Sequence, residues 1–232
     1  MTVEHPEPEA FTVDAILAEA ARRTGGLDDL GPGPFLEPMA LFLESLDREA
    51  RLNEIGRLIA SERALGHTVN RLGYVNDRKQ FPEIADERIV APVFIIGFPR
   101  TGTTILHDIL AQDPDSRAPL TWETMFPSPP PEAATFATDP RIALAASFLP
   151  NADTETERDR RFKAMHPMGV ELSQECVTMM GEAMCTPLFH TSSAFRPTKT
   201  GSITTQIGRT CTTSTTSSCS TCSGTTSVIA GC

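Results

Sequence analysis

The residues best suited to chemistry lie together in Pro92-Val93-Phe94-Ile95-Ile96-Gly97-Phe98-Pro99-Arg100-Thr101-Gly102-Thr103-Thr104. A short apolar run enters a loop bounded by Gly97 and Gly102, and the loop leaves through two hydroxyl residues into a helix-like segment. That order of types is a cradle for a phosphate-like anion. Gly102 lets the backbone approach a ligand closely. The first N–H groups of the following helix, at the positive end of its dipole, attract negative charge. Thr103 and Thr104 can donate hydrogen bonds to anionic oxygens. Arg100 can stabilise charge that develops on a leaving oxygen.

The spacing resembles the Walker A loop, Gly-x4-Gly-Lys-Ser/Thr, with one change: Thr103 stands where the lysine that grips the β and γ phosphates would be. Pro99-Arg100-Thr101-Gly102-Thr103-Thr104 after a buried strand resembles instead the 5′-phosphosulfate loop of sulfotransferases that use 3′-phosphoadenosine 5′-phosphosulfate (PAPS). Arg100 falls on a lysine common in that family. Three further runs resemble a bacterial branch of it: Leu106-His107-Asp108-Ile109-Leu110-Ala111-Gln112-Asp113-Pro114, Pro119-Leu120-Thr121-Trp122-Glu123, and His166-Pro167-Met168-Gly169. The likeness extends over residues 10–196. It implies an α/β, P-loop-like three-layer sandwich with a parallel sheet and an N-terminal helical region. It also implies PAPS as cosubstrate, no metal, and a small-molecule, lipid or carbohydrate acceptor. Residues Pro99, Arg100, Thr101, Gly102, Thr103 and Thr104 would then hold the phosphosulfate.

Sulfuryl transfer also needs a group to take the acceptor's proton. His107 stands one turn into the loop helix, where it can face the cleft or pack inside. Glu123 follows Trp122 at the end of an expected strand, a place for an acceptor pocket or an ordinary surface turn. His166 precedes a proline in an expected loop, and the resemblance marks it. Glu171 and Glu175 share a helix face by their i,i+4 spacing, which fits solvation as well as catalysis. The expected catalytic set is Arg100, His107, Glu123 and His166.

These residues need elements to position them. Val13, Ile16, Leu17 and Ala20 form a helical stripe that Thr12 or Asp14 can cap, Gly25-Gly26 ends it, and Gly31-Pro32-Gly33-Pro34 makes a turn. A longer helix is expected from Leu41, Leu46, Leu52, Ile55, Leu58, Ile59, Leu65, Val69 and Leu72. Residues 1–88 therefore read as a helical region. Residues 89–196 read as the first half of the α/β domain. There Val93–Ile96 is a strand buried on both faces, and Gly102–Ala111 is a helix whose Ile105, Leu106, Ile109 and Leu110 face the sheet. Pro127–Pro131 is an extended loop and Arg141–Phe148 a short helix. Thr154–Phe162 is a solvated helix or loop, and Glu171–Met184 is a helix with Leu172, Cys176, Met179 and Met180 on its apolar side.

Residues 197–232 break the pattern. Of these 36 residues, 19 are Ser or Thr, and Lys199 and Arg209 are the sole charges. Such a segment buries too little surface to offset the entropy of ordering. Its composition fits translation in a shifted frame or, alternatively, a natural Ser/Thr-rich linker or mucin-like tail, and the resemblance implies that a later strand and helix with an arginine and a serine for the 3′-phosphate should follow. Nothing in the tail matches them. The C-terminal half of the sheet is expected to be incomplete, with an apolar edge prone to aggregation. Cys219-x-x-Cys222 lies in this tail without the other ligands of a zinc site.

Twenty Lys and Arg against 30 Asp and Glu give a net charge of −10, against a nucleic-acid surface. No apolar run reaches the ~18 residues of a membrane helix, and the acidic, proline-rich start lacks signal-peptide character, which points to the cytoplasm. Two rival readings stand beside the transferase: a P-loop nucleotide kinase or triphosphatase, and a non-catalytic truncated remnant.

Overall fold

The computed structural model describes residues 11–33, 35–48, 50–87, 90–97, 101–150, 154–184 and 228–230. Pro99 and Arg100 lie outside the described residues, as does most of the tail from 197 onward.

Helix α1 (Val13–Arg23) starts where the Thr12 side chain accepts a hydrogen bond from the Ala15 N–H, and it ends at Gly25 and Gly26, both at positive φ. The single long helix expected next is two helices, α2 (Leu36–Arg48) and α3 (Glu54–Gln80). Arg51 takes a positive φ of 47° between them, and Asn53 caps the restart by accepting from the Gly56 N–H at 2.8 Å. The three- and four-residue apolar spacing runs across the break in the sequence, so it does not mark where one helix stops and the next starts. Ile16, Ala20, Phe35, Met39, Leu43, Leu46, Ala64, Leu65 and Leu72 make one core between the three helices. The first turns of α3 leave Ile55, Leu58 and Ile59 exposed instead.

Buried Arg71 ties this helical layer together and to the rest of the chain. Its guanidinium donates to the carbonyls of Leu30 and Pro32 in the glycine turn and to that of Glu182. Met184 closes the same core from the far end of the sequence.

Strand β1 (Val93–Ile95) pairs in parallel with β2 (Val228–Ala230), with Val93 opposite Val228 and Ile95 opposite Ala230. A parallel neighbour within the tail was not expected from its composition. The strand is not buried on both faces. Ile95 is covered, whereas Val93, Phe94 and Ile96 are exposed, Ile96 by 83%. Among the described residues the sheet has two strands, too few to carry a helical layer on each side, so the apolar run outlasts its cover.

Helix α4 (Thr103–Leu110) follows the loop as expected. Its apolar residues do not all face the sheet. Leu110 packs against Ile95 and Ala118, while Ile105, Leu106 and Ile109 are exposed. Then come α5 (Thr121–Met125), α6 (Pro140–Phe148, with Asp139 as N-cap) and α7 (Glu157–Met165, with a Thr156–Asp159 capping box). The expected helix over Glu171–Met184 shrinks to α8 (Cys176–Met179) and a 3-10 turn at Met180–Ala183. Its first residues form a turn and a bridge instead, because they are recruited by their neighbours. Ser173 forms an antiparallel bridge with Leu120, and hydrogen bonds run from Thr121 N to Leu172 O, Trp122 N to Val170 O and Gln174 N to Pro119 O. Glu171 and Glu175 therefore share no helix face. No helix among the described residues is long and apolar enough to cross a membrane.

Candidate functional site

The loop closes onto α4 through Gly102, which sits at the N-cap with φ 93° and ψ 12°. L residues other than glycine rarely adopt that left-handed geometry. No side chain caps the helix and no acidic residue stands in its first turn, so no carboxylate within α4 itself offsets the positive helix end. Gly97, at the loop entrance, is pressed from the other side. A Cβ there would lie 2.8 Å from Thr103 Cγ2 and 2.9 Å from Thr101 Oγ1. Both glycines are thus required by geometry, as their spacing suggested.

The Thr104 hydroxyl is held by the fold itself: its Oγ1 donates to Glu175 Oε1 at 2.9 Å. One turn further along α4, Asp108 Oδ1 accepts from Ser173 Oγ, also at 2.9 Å. The segment 170–175, a turn that leads into the bridge at Ser173, is thereby clasped between α4, through side chains, and residues 119–122, through the backbone. This arrangement brings a carboxylate to the loop that the sequence placed on a solvated helix face.

The other expected site residues do not converge on the loop. His107 is 1% exposed and packed inside α4's buried face, so it does not line an open cleft. Its i+3 position from Thr104 turns it toward the protein interior. Glu123 is 4% exposed, ion-paired with Arg117, and accepts from the Leu120 N–H at 2.8 Å. That bond to the N-cap backbone holds the first turn of α5, so a structural duty accounts for its contacts. His166 ends α7, its ring 5.8 Å from that of Phe162. Trp122 is fully buried, with Phe136 at 5.3 Å between ring centroids and the Arg141 guanidinium over its face at 4.9 Å.

A cavity of about 440 Å³ opens beside the far end of α4. Asp108, Arg117, Leu120, Phe136, Glu171 and Leu172 supply its character, and among the described residues of the loop, Gly97 and 101–104, none is in its wall. Neither Arg117 nor Phe136 stands out in the sequence, since the cavity they line with Asp108 and Ser173 is built from distant segments with no short-range spacing to read. Among the described residues no three His, Cys, Asp or Glu side chains gather to hold a metal.

Residues 92–206 match the model of the sulfotransferase family. The fold is similar to the crystal structure of sulfotransferase STF1 from Mycobacterium tuberculosis H37Rv, with TM-score 0.75 and 24% identity over 96% of this chain and 61% of that one. It is likewise similar to sulfotransferase STF9 from Mycobacterium avium, with TM-score 0.76 and 22% identity over 99% of this chain and 58% of that one. The chain thus spans about three fifths of the length of these structures. No curated protein matches it.

Proposed function

Starting from a chain that belongs to the sulfotransferase family over residues 92–206, we propose that it moves a sulfuryl group from PAPS to a hydroxyl or amine of a small-molecule, lipid or carbohydrate acceptor. The observation that carries this reading is the start of α4. A left-handed glycine cap, a first turn free of acidic residues and Thr103 in place of a lysine suit an anion held by backbone N–H groups. A triphosphate with its magnesium asks for the missing lysine and for a metal-holding carboxylate.

In this reading Pro99 sets the entry of the loop. The N–H groups and hydroxyls of Thr101, Gly102, Thr103 and Thr104 hold the 5′-phosphosulfate. The acceptor oxygen or nitrogen attacks sulfur in line, and the bond from sulfur to the bridging oxygen of the 5′-phosphate breaks. Arg100 and the helix end stabilise the charge that develops on that oxygen. Positioning supplies much of the rate, as in phosphoryl transfer.

The acceptor's proton leaves to a nearby base. His107, Glu123 and His166 are the candidates from the sequence, and Glu175 joins them because its carboxylate touches Thr104. Gln substitutions at Glu123 and Glu175 and Asn substitutions at His107 and His166 separate these roles. The base is the position where kcat falls by about 10²-fold or more while affinity for adenosine 3′,5′-bisphosphate is kept.

The deciding experiment is a thermal melt with adenosine 3′,5′-bisphosphate and, separately, with magnesium-ATP. An upward shift with the bisphosphate alone supports the reading, since a ligand that binds only the folded state raises its stability. A shift with magnesium-ATP alone refutes it. A second reading follows from the chain spanning 61% and 58% of its structural relatives: a nucleotide-holding chain that does not turn over. A bisphosphate shift without sulfuryl transfer to any acceptor would favour it.

A further inference from the structure

We propose that the cavity beside the far end of α4 is a binding site for a primary amine carried on an aromatic or apolar body. This site is argued without the phosphosulfate reading of the loop and stands or falls separately from it. The volume, about 440 Å³, lies in the range of small-molecule pockets. Its wall is half apolar, with Phe136, Leu120 and Leu172 able to cover a ring or a short alkyl chain.

The charges of the wall select the head group. Arg117 is its one cation among the described residues, and that charge is already matched by the buried carboxylate of Glu123, with the guanidinium lying over the Phe136 ring at 5.6 Å. Two carboxylates remain, Asp108 and Glu171, and neither is in an ion pair among the described residues. Asp108 is held in place by the Ser173 hydroxyl, which donates to Oδ1 and leaves Oδ2 for a ligand. An ammonium group with three donors suits two carboxylates, and its charge is favoured there by Coulomb attraction in a partly sheltered wall. A carboxylic acid meets the opposite field and no uncommitted cation.

The cavity carries its own reporter. Trp122 is the single tryptophan of the chain, and its ring packs on Phe136, a wall residue. Filling the cavity therefore perturbs tryptophan emission. The experiment titrates the full chain with phenethylamine, 2-phenylethanol and phenylacetate, three probes with one ring and a cationic, neutral or anionic head. Excitation on the red edge of the tryptophan band keeps the probes silent.

The expected result is saturable change with the amine, weaker binding of the alcohol, and phenylacetate weaker than the amine by about tenfold or more. Glu171→Gln and Asp108→Asn each reduce amine affinity about threefold to tenfold and leave that of 2-phenylethanol unchanged. Glu171 is exposed, so its substitution leaves folding intact. The proposal is overturned if the amine gives no saturable change, if phenylacetate binds as well as the amine, or if both variants bind the amine as the parent chain does.

Discussion

Thr104 Oγ1 donates to Glu175 Oε1 at 2.9 Å, a hydrogen bond between residues 71 positions apart. It fixes the hydroxyl at the start of the loop helix and sets a carboxylate beside the place where an anion would bind. The neighbouring Ser173–Asp108 bond holds the same segment against α4. In this arrangement the Thr104 proton is committed to Glu175, and an incoming phosphosulfate has to take it over.

Replacing Glu175 with Gln removes a negative charge next to the loop while keeping an oxygen that can accept from Thr104. At an effective dielectric suited to a partly exposed site, the relief is on the order of 1 kcal/mol, so adenosine 3′,5′-bisphosphate should bind about fivefold more tightly. Calorimetric titration measures it, and its advantage should shrink as salt is raised. Equal or weaker binding by Glu175→Gln would show that the carboxylate helps the loop instead of competing with its ligand.

Gly102 and Gly97 should fail in different ways. An alanine Cβ at Gly102 meets nothing within 4 Å, so its penalty is the left-handed backbone alone, about 1–2 kcal/mol. For a chain of this size that lowers Tm by roughly 2–8 °C. An alanine at Gly97 instead collides with Thr103 and Thr101. Gly97→Ala should therefore displace the loop hydroxyls and abolish the bisphosphate-induced rise in Tm, even where its own Tm is close to that of the parent. A full ligand response from Gly97→Ala would contradict the geometry.

What could be read from the sequence was local. The Thr12 cap, the Gly25-Gly26 stop and the strand–loop–helix around Gly102 follow from rules that act within a few residues. The break at Arg51 between α2 and α3 was hidden because the apolar stripe continues across it. The segment before α8 was misjudged because its hydrogen bonds go to residues 119–122 and to α4, and long-range pairing overrode a helical pattern. The i,i+4 relation of Glu171 and Glu175 disappears once the residues between them bend into the bridge at Ser173 and form no helix. For Glu123 and His107 the sequence leaves a base and an ordinary packed or surface role side by side, and burial and a cap to the Leu120 N–H account for where they sit.

His67 gives the chain an acid-sensitive joint. Its Nδ1 is covered, Gly181 lies so close that a Cβ would overlap the ring, and desolvation followed by the nearby Arg63 charge pushes its pKa from 6.5 down to about 4. The folded state binds fewer protons than the unfolded one between those values, so stability rises with pH across that window. It is fully present above pH ~6.5 and declines as the pH falls toward ~4, by on the order of 2 kcal/mol. Urea unfolding at pH 7 and pH 4.5 should reveal the loss, and His67→Gln should reduce the part of the slope that lies above pH ~5.5, where most carboxylates are already ionised. An unchanged slope there would locate the sensitivity elsewhere.

Arg141 holds the floor beneath Trp122. Its guanidinium binds the Asp139 carboxylate, donates to the carbonyls of Phe126 and Pro129, and lies over the indole. Hydrogen bonding to Arg141 keeps Asp139 below the usual carboxylate range. Arg141→Ala leaves a nearly buried carboxylate and two carbonyls without their donor, which costs about 3–5 kcal/mol. Asp139→Asn keeps an acceptor for the α6 cap and should cost about 1 kcal/mol. Chemical denaturation orders the two variants, and a loss below 1 kcal/mol for Arg141→Ala would show the cluster to be dispensable.

The apolar face left by β1 and α4 should govern solubility. Phe94 on the strand and Ile96 just after it, with Ile105 and Ile109 on the helix, are each more than half exposed. Ile105 and Ile109 are four positions apart, so they share one helix face. Monomeric proteins seldom leave contiguous apolar patches of more than a few hundred Å² in water. Ile105→Lys combined with Ile109→Glu should then reduce light scattering at rising protein concentration. Stability should change by no more than about 0.5 kcal/mol per substitution, as for other surface sites. If the double variant unfolds, that face is buried in the folded protein and its apolar residues are core. If it stays folded and still scatters, self-association runs through another surface, of which the exposed Ile55, Leu58 and Ile59 on α3 are the next to change.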